Sequence, residues 1–312
     1  MSIGIVIVNW NRWRLTEACV AALRSSVNVK FRCYVVDNAS TDGSGDQLAT
    51  LGSDVTLIRH HVNAGWAGGN NIGIARALGD GHDFILLLNN DALPRPDTLA
   101  ILSRVEASLT GTGGARPVLG PVERREDGRF GFLQATEDPQ TGIPAWDPGQ
   151  EVSAAPQQEL IPTAYVQGSA LFTHRSVFER VGLFDERYFL YYDEADWCYR
   201  AARAGHPLLM VRDATIQHES GATTGGLLSV LQTYFLIRNR LLFAELHCTR
   251  QQRQAVAQKH RSERHFYFSS GEALAQAFRQ GERDYVERRF GDCPPRIRAL
   301  AEAAAKETSP SN

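Results

Sequence analysis

At 312 residues, with 43% hydrophobic and 22% charged side chains, the chain has the composition of a folded globular protein with a sizeable core. A net charge of -2 gives no footprint for nucleic acid, and no apolar run approaches the roughly 20 residues of a membrane span. Five scattered cysteines without CxxC spacing (Cys19, Cys33, Cys198, Cys248, Cys293) exclude the pattern of a disulfide framework or zinc site and predict a cytoplasmic protein.

In chain order, Met1-Ser2-Ile3-Gly4 lacks the basic stretch of a signal peptide and runs straight into a β-branched strand over 3–8. Asn9-Trp10-Asn11-Arg12 closes it, and 15–23 has helical spacing. A strand over 31–36 ends in the turn formers Asp37-Asn38-Ala39-Ser40-Thr41-Asp42-Gly43-Ser44. A short strand at 55–58 precedes Asn63-Ala64-Gly65-Trp66-Ala67-Gly68-Gly69-Asn70-Asn71 and a helix through Ile74 and Leu78. The four apolar residues 85–88 read as a strand buried on both faces, stopped by Asn89-Asn90-Asp91 before a helix over 96–109. This alternation predicts an α/β fold with a mostly parallel, Rossmann-like sheet flanked by helices. The span 111–162 is rich in Gly, Pro and charge and reads as loops, short strands and a mobile flap. Regularity returns with a strand over 165–172, the aromatic patch Tyr188-Phe189-Leu190-Tyr191-Tyr192, a helix over 193–204, and short strands at 208–211 and 215–217 just before His218. A helix over 227–246 carries Arg238 and Arg240, and a charged helical tail follows, fading into a disordered Ser-Pro-Ser-Asn end.

Three polar clusters, 37–42, 63–71 and 89–91, follow three strands of one half-sheet, so a parallel arrangement brings them to one crevice. Together they read as a nucleotide pocket. Asp37 suits a pyrimidine N–H or a ribose hydroxyl, the glycines at 65, 68 and 69 suit close phosphate approach at a helix start, and Asp91 suits a divalent cation holding a diphosphate. Each has a plainer alternative in helix capping, packing or turn formation. Neither GxGxxG nor GxxxxGK[ST] follows the first strand, which disfavours a dinucleotide dehydrogenase and a P-loop NTPase. In Asp193-Glu194-Ala195-Asp196-Trp197, one carboxylate beside an apolar wall is a candidate general base; acidic decoration of a helix N-terminus is the other reading. His218 is a candidate metal ligand or a structural histidine.

These stretches, with Phe184-Asp185-Glu186, Trp197, Arg200 and Tyr234 through Arg238-Asn239-Arg240, resemble the family 2 glycosyltransferases of GT-A fold from about Ile3 to Phe243. The members most resembled are rhamnosyltransferase-like and galactofuranosyltransferase-like. The resemblance implies that Asp37 holds the base or ribose of a nucleotide diphosphate sugar, and that Asp91 and His218 hold Mg²⁺ or Mn²⁺. The first acid of the family's Asp-x-Asp motif is here Asn89. Glu194 falls at the catalytic-base position, flanked by Asp193 and Asp196. The implied donor pocket comprises Val8, Asn9, Asn11, Asp37, Asn63, Gly65, Gly69, Asn70, Asn89, Asn90, Gly168 and Trp197, the last able to stack on a sugar.

The expected function is inverting transfer of a sugar, L-rhamnose from dTDP-L-rhamnose first and a UDP-sugar next, to a hydroxyl on a glycan, a lipid-linked glycan or a small molecule. Residues 1–110 would form the nucleotide-sugar half, 111–225 the acceptor and catalytic half of the same domain, and 226–312 a helical extension. The alternatives are a sugar-nucleotide-binding module without catalysis and a sugar nucleotidyltransferase. The latter would need a glycine-rich loop where Asn9-Trp10-Asn11-Arg12 stands. The helix over 227–246 either packs with its basic residues solvated or rests on the inner face of a membrane, and the tail leaves room for a homodimer.

Overall fold

The computed structural model describes residues 2–111, 115–125, 129–145, 159–218 and 229–308. Its first half alternates strand and helix: β1 (Ile3–Asn9), α1 (Trp13–Arg24), β2 (Phe31–Asn38), α2 (Ser44–Leu48), β3 (Val55–His60), α3 (Gly65–Gly79), β4 (Phe84–Leu88), β5 (Ala92–Pro94) and α4 (Thr98–Thr110). Then come β6 (Val118–Arg124), the short pair β7 (Thr136–Glu137) and β8 (Pro144–Ala145), β9 (Leu160–Pro162), β10 (Ala170–His174), α5 (Arg175–Val181), α6 (Asp193–Arg203) and β11 (Leu208–His218). Four helices close the chain: α7 (Val230–His247), α8 (Arg250–Ser269), α9 (Glu272–Val286) and α10 (Pro295–Thr308).

The main sheet has nine strands in the order β3-β2-β1-β4-β10-β6-β11-β5, with β9 on β11. The pairings β3–β2, β2–β1, β1–β4 and β6–β11 are parallel, and β10, β5 and β9 run against their neighbours. The sheet is therefore mostly parallel, as its sequence pattern predicts. Period-two alternation divides its side chains: Ile5, Ile7, Leu86 and Leu88 enter one buried layer with Cys19, Val20 and Leu102 of α1 and α4. Val6, Ile85 and Leu87 enter the other with Ile74, Ala77, Phe178 and Trp197 of α3, α5 and α6. Because β2 lies on one side of β1 and β4 on the other, the strand order switches at β1, and ligands of open parallel sheets bind beyond that point.

Several local expectations change. The predicted strand over 165–172 is displaced to Ala170–His174, and the segment before it is loop. Residues 208–211 and 215–217 belong to one strand, β11, whose register against β6 shifts between Val211 and Thr215. That bulge stands opposite Pro121, which explains how a residue without an N–H sits inside the sheet. The irregular span holds a seven-residue inner strand, β6, buried over most of its length. The chain end at 309–312, parts of the expected flap, and Glu219-Ser220-Gly221 lie outside the described residues.

The chain divides into two compact units: Met1–Thr136, Pro144–Asp185 and Glu194–Glu219 in the first, and Glu137–Ile143, Glu186–Asp193 and Ser220–Asn312 in the second. Within the second, α7 is buried nearly all round, and its basic residues face inward rather than toward water or a membrane. Arg238, fully buried, donates to the carbonyls of Arg187, Tyr188 and Gly291, and Arg240 pairs with Glu263. Asn239 donates to the carbonyls of Tyr188, Leu190 and Tyr191 at 2.9, 2.8 and 2.8 Å. These bonds hold an aromatic run in which Phe189, Tyr191 and Tyr192 have φ of 65°, 65° and 70°, the left-handed region that costs a non-glycine residue free energy. Among the described residues, no helix is long and apolar enough to cross a membrane, and all five cysteines are buried and free.

Candidate active site

The site is built where β1, β2 and β4 end. Asn9, the last residue of β1, is fully buried. Its amide nitrogen donates to Asp37 Oδ1 (3.4 Å) and Ser40 Oγ (3.1 Å), and its oxygen accepts from Thr16 Oγ1 (2.8 Å). Thr16 Oγ1 in turn accepts from Asn90 Nδ2 at 3.2 Å. Asn9 and Asn90 thus brace Asp37 and the end of β4 from behind. Asn11 steadies the loop after β2 by accepting from the Thr41 N–H, at 2.7 Å. Asn63 accepts from Asn38 Nδ2 and from the Gly65 N–H, and Gly65, at φ 72°, turns the chain into α3.

Gly69 of α3 has a packing role. A Cβ on Gly69 would stand 2.8 Å from Val8 Cγ1, so its absence lets the helix lie directly on β1. Asn70 is buried and spends its amide on the Trp66 carbonyl. Trp66, given no role by the sequence reading, donates its indole N–H to Asn89 Oδ1 at 2.9 Å. A Cβ on Gly168 would lie 2.8 Å from its ring. Asn89 is further held by its backbone N–H on the Ser169 carbonyl.

Beyond Asn89, three buried groups meet. His218, at the end of β11, sets Nε2 3.2 Å from Asp91 Oδ1 and Nδ1 2.7 Å from Glu123 Oε1. Ser169 Oγ donates to the same Glu123 oxygen at 2.7 Å. Burial alone would lower the His218 pKa, but its bonds to Asp91 and Glu123 outweigh that and raise it to about 10. Glu123 lies on β6 inside the span read as irregular, so sequence reasoning missed it. The only signal was a carboxylate directly after the apolar run Val118-Leu119-Gly120-Pro121-Val122.

This donor set fits a divalent cation. A carboxylate on Nδ1 fixes the imidazole so that Nε2, once deprotonated, faces Asp91, the arrangement common behind metal-ligating histidines. Among the described residues, no three His, Cys, Asp or Glu side chains form a metal-holding group on their own. Mg²⁺ and Mn²⁺ sites often take one or two protein ligands and fill the rest with substrate phosphate and water.

The acidic run opens α6. Asp193 is buried in the second unit, whereas Glu194, half-buried, and Asp196 belong to the first. Asp196 is bound to Arg200 at 2.9 Å, and that guanidinium also holds the carbonyls of Val181 and Leu183. Trp197 corrects an expectation: it is fully buried, donates to the Gly182 carbonyl at 2.8 Å and packs on Phe178 and Phe184, leaving no face for a sugar. Phe184 also meets Trp66 edge-on at 5.0 Å, so one aromatic cluster braces both Asn89 and the helix that carries Glu194.

Comparison with known proteins gives the family. The profile of Glycosyl transferase family 2 matches residues 4–181. The chain is 26% identical over 243 residues to the low-salt glycan biosynthesis hexosyltransferase Agl10 of Haloferax volcanii, covering 77% of this chain and 74% of that one. It is 28% identical over 241 residues to the N-acetylglucosaminyl-diphospho-decaprenol L-rhamnosyltransferase of Mycobacterium tuberculosis, covering 71% and 77%. In fold it resembles the mannosyltransferase PcManGT of Pyrobaculum calidifontis, solved with GDP-Man and Mn²⁺, at a TM-score of 0.58 and 16% identity over 99% of this chain and 81% of that one. The matched profile spans more than half of the chain, including the ends of β1, β2 and β4 where the site is built; the chain is a glycosyltransferase of GT-A fold and belongs to glycosyl transferase family 2.

Proposed function

We propose that the chain is an inverting glycosyltransferase that moves a hexose, L-rhamnose from dTDP-L-rhamnose in the first instance and a UDP-sugar next, onto a hydroxyl acceptor. The observation that carries the reading is the Asp91–His218–Glu123 arrangement just beyond the end of β4 in a family 2 chain. The rhamnosyltransferase relative supports the choice of sugar. In this reading Asp37 receives the base or ribose of the donor. Asp91 and His218 Nε2 hold Mg²⁺ or Mn²⁺, which when bound supplies positive charge beside the diphosphate oxygens. Glu194 takes the proton of the acceptor hydroxyl. The acceptor oxygen attacks the anomeric carbon, the bond from that carbon to the diphosphate breaks, and the nucleoside diphosphate leaves; one displacement inverts the configuration.

Thermal stabilisation across a panel of dTDP-, UDP- and GDP-sugars, with Mn²⁺ or with EDTA, tests the donor, because a specific ligand raises apparent stability by mass action. The reading expects the largest shift with dTDP-L-rhamnose and its loss in EDTA, with donor turnover lost in parallel. Equal shifts for all donors, or turnover indifferent to EDTA, would refute it.

A further inference from the structure

Where β2 ends beside the edge strand β3, an acceptor and a donor face one small gap. Asp37 and Arg59 are register partners in the parallel β2–β3 pair, so their side chains rise from the same face of the sheet. Asp37 is only 6% exposed; its Oδ1 accepts from Asn9, and its Oδ2 has no hydrogen-bond partner among the described residues. Arg59 donates from Nη2 to the Gly45 carbonyl at 2.8 Å and to Asp46 Oδ1 at 2.9 Å, and among the described residues its Nη1 has no partner. Arg59 pairs with Asp46 and forms no direct ion pair with Asp37. Gly45, in the first turn of α2, stands next to both: a Cβ there would lie 2.8 Å from Asp37 Oδ2 and 3.4 Å from Arg59 Nη1. Its φ is not positive, so the backbone does not require a glycine here, whereas the space does.

From this arrangement we infer that Arg59 reads the nucleobase of the donor together with Asp37. This role rests on the nucleotide-sugar reading and deepens it. An open acceptor beside an open donor calls for a ligand edge that carries a donor next to an acceptor. Uracil and thymine have a ring N–H with a carbonyl on each side; the N–H donates to Asp37 Oδ2, and one carbonyl accepts from Arg59 Nη1. Cytosine places a lone pair where that N–H stands, against the carboxylate. Guanine carries an amino group on one side of its ring N–H, and the other oxygen of Asp37 already accepts from Asn9. The side chain of Arg59 is 53% exposed, which sets its hydrogen bond to a carbonyl at the low end for a charged donor, about tenfold in binding.

The test is calorimetric titration of UDP, dTDP, CDP, GDP and inorganic pyrophosphate, each with Mn²⁺, into the full chain. The parent should bind UDP and dTDP alike, and CDP and GDP at least about tenfold more weakly. Arg59→Met should weaken UDP and dTDP about tenfold and leave pyrophosphate, which has no base, unchanged. Gly45→Ala, which fills the gap, should weaken UDP by at least as much and also leave pyrophosphate unchanged. Asp46→Asn, which removes a neighbour of Arg59 but keeps the guanidinium, should bind UDP as the parent does. Undiminished UDP binding by Arg59→Met, an equal loss of pyrophosphate and UDP in that variant, the same UDP loss in Asp46→Asn, or CDP bound by the parent as tightly as UDP would each overturn the role of Arg59. A folded parent that binds no nucleoside diphosphate would instead remove the nucleotide-sugar reading, and this role with it.

Discussion

Replacing Glu123 by Gln tests the metal-site reading at its least obvious member. In the structure this carboxylate is buried and receives two 2.7 Å hydrogen bonds on one oxygen, from Ser169 Oγ and His218 Nδ1. Glutamine keeps the volume and a carbonyl acceptor but removes the charge. A hydrogen bond to a charged group contributes about 1.5–3 kcal/mol and a neutral one about 0.5–1.5 kcal/mol, so the hold on His218 weakens by about 1–2 kcal/mol. Removing such an outer partner commonly lowers metal affinity about 10–100-fold, or about 1.4–2.7 kcal/mol, which overlaps that figure. Titrating Mn²⁺ into the protein with a nucleoside diphosphate present, by calorimetry, measures it directly. The expected result is that loss in Mn²⁺ affinity, with the overall fold kept as judged by circular dichroism and with Glu123→Asp closer to the parent. A folded Glu123→Gln protein with the parent's Mn²⁺ affinity would refute the argument that Glu123 orients a metal-binding His218.

Three further outcomes follow from particular contacts. Trp66→Phe keeps an aromatic ring beside Phe184 but removes the N–H to Asn89, so it should cost about 1 kcal/mol in urea unfolding and leave Asn89 less fixed, read as weaker donor binding in the thermal-shift assay. Asn239→Ala strips one donor from three carbonyls of the strained aromatic run and should lower stability by about 3 kcal/mol, an exceptional loss for a surface residue but ordinary for a buried amide with three bonds. Asp138 is held at a pKa of about 2, below its ordinary 3.8, first by the Thr141 N–H and then by Lys259 and the Gln140 N–H. Its native pKa is depressed, so its contribution of about 2 kcal/mol is present above the unfolded value near pH 4 and vanishes as pH falls through about 2. Asp138→Asn should therefore be less stable than the parent at pH 7 and equal to it near pH 2.

The half-sheet from β1 to β4 was legible because its strands are rich in β-branched residues or leucine and end in polar clusters, although α3 starts at Gly65, inside the cluster over 63–71 that was expected to precede it. Strand β6 was not, because Gly120 and Pro121 break its apolar run. Only tertiary context, the bulge of β11 opposite that proline, makes a strand of it. Glu123 disappeared along with the strand. His218 and Asp91 were named from position, and they do meet, but their shared dependence on Glu123 involves a partner 95 residues from His218 that no local pattern encodes. Trp197 misled for a different reason: an aromatic beside an acidic cluster reads equally as a sugar platform or as core, and the fold makes it core. The arginine pattern of α7 likewise promised a basic surface, whereas Arg238 is spent on the carbonyls of a strained loop that sequence alone does not reveal.

The central claim is that one carboxylate on α6 takes the acceptor's proton while Asp91 and His218 secure the leaving diphosphate. Single-turnover transfer by Glu194→Gln, at saturating donor and Mn²⁺, measures that step alone. The account predicts a rate lower by about 10²–10⁴-fold with the donor dissociation constant unchanged, the usual contribution of a general base. Transfer at close to the parent rate, with donor still bound, would contradict it.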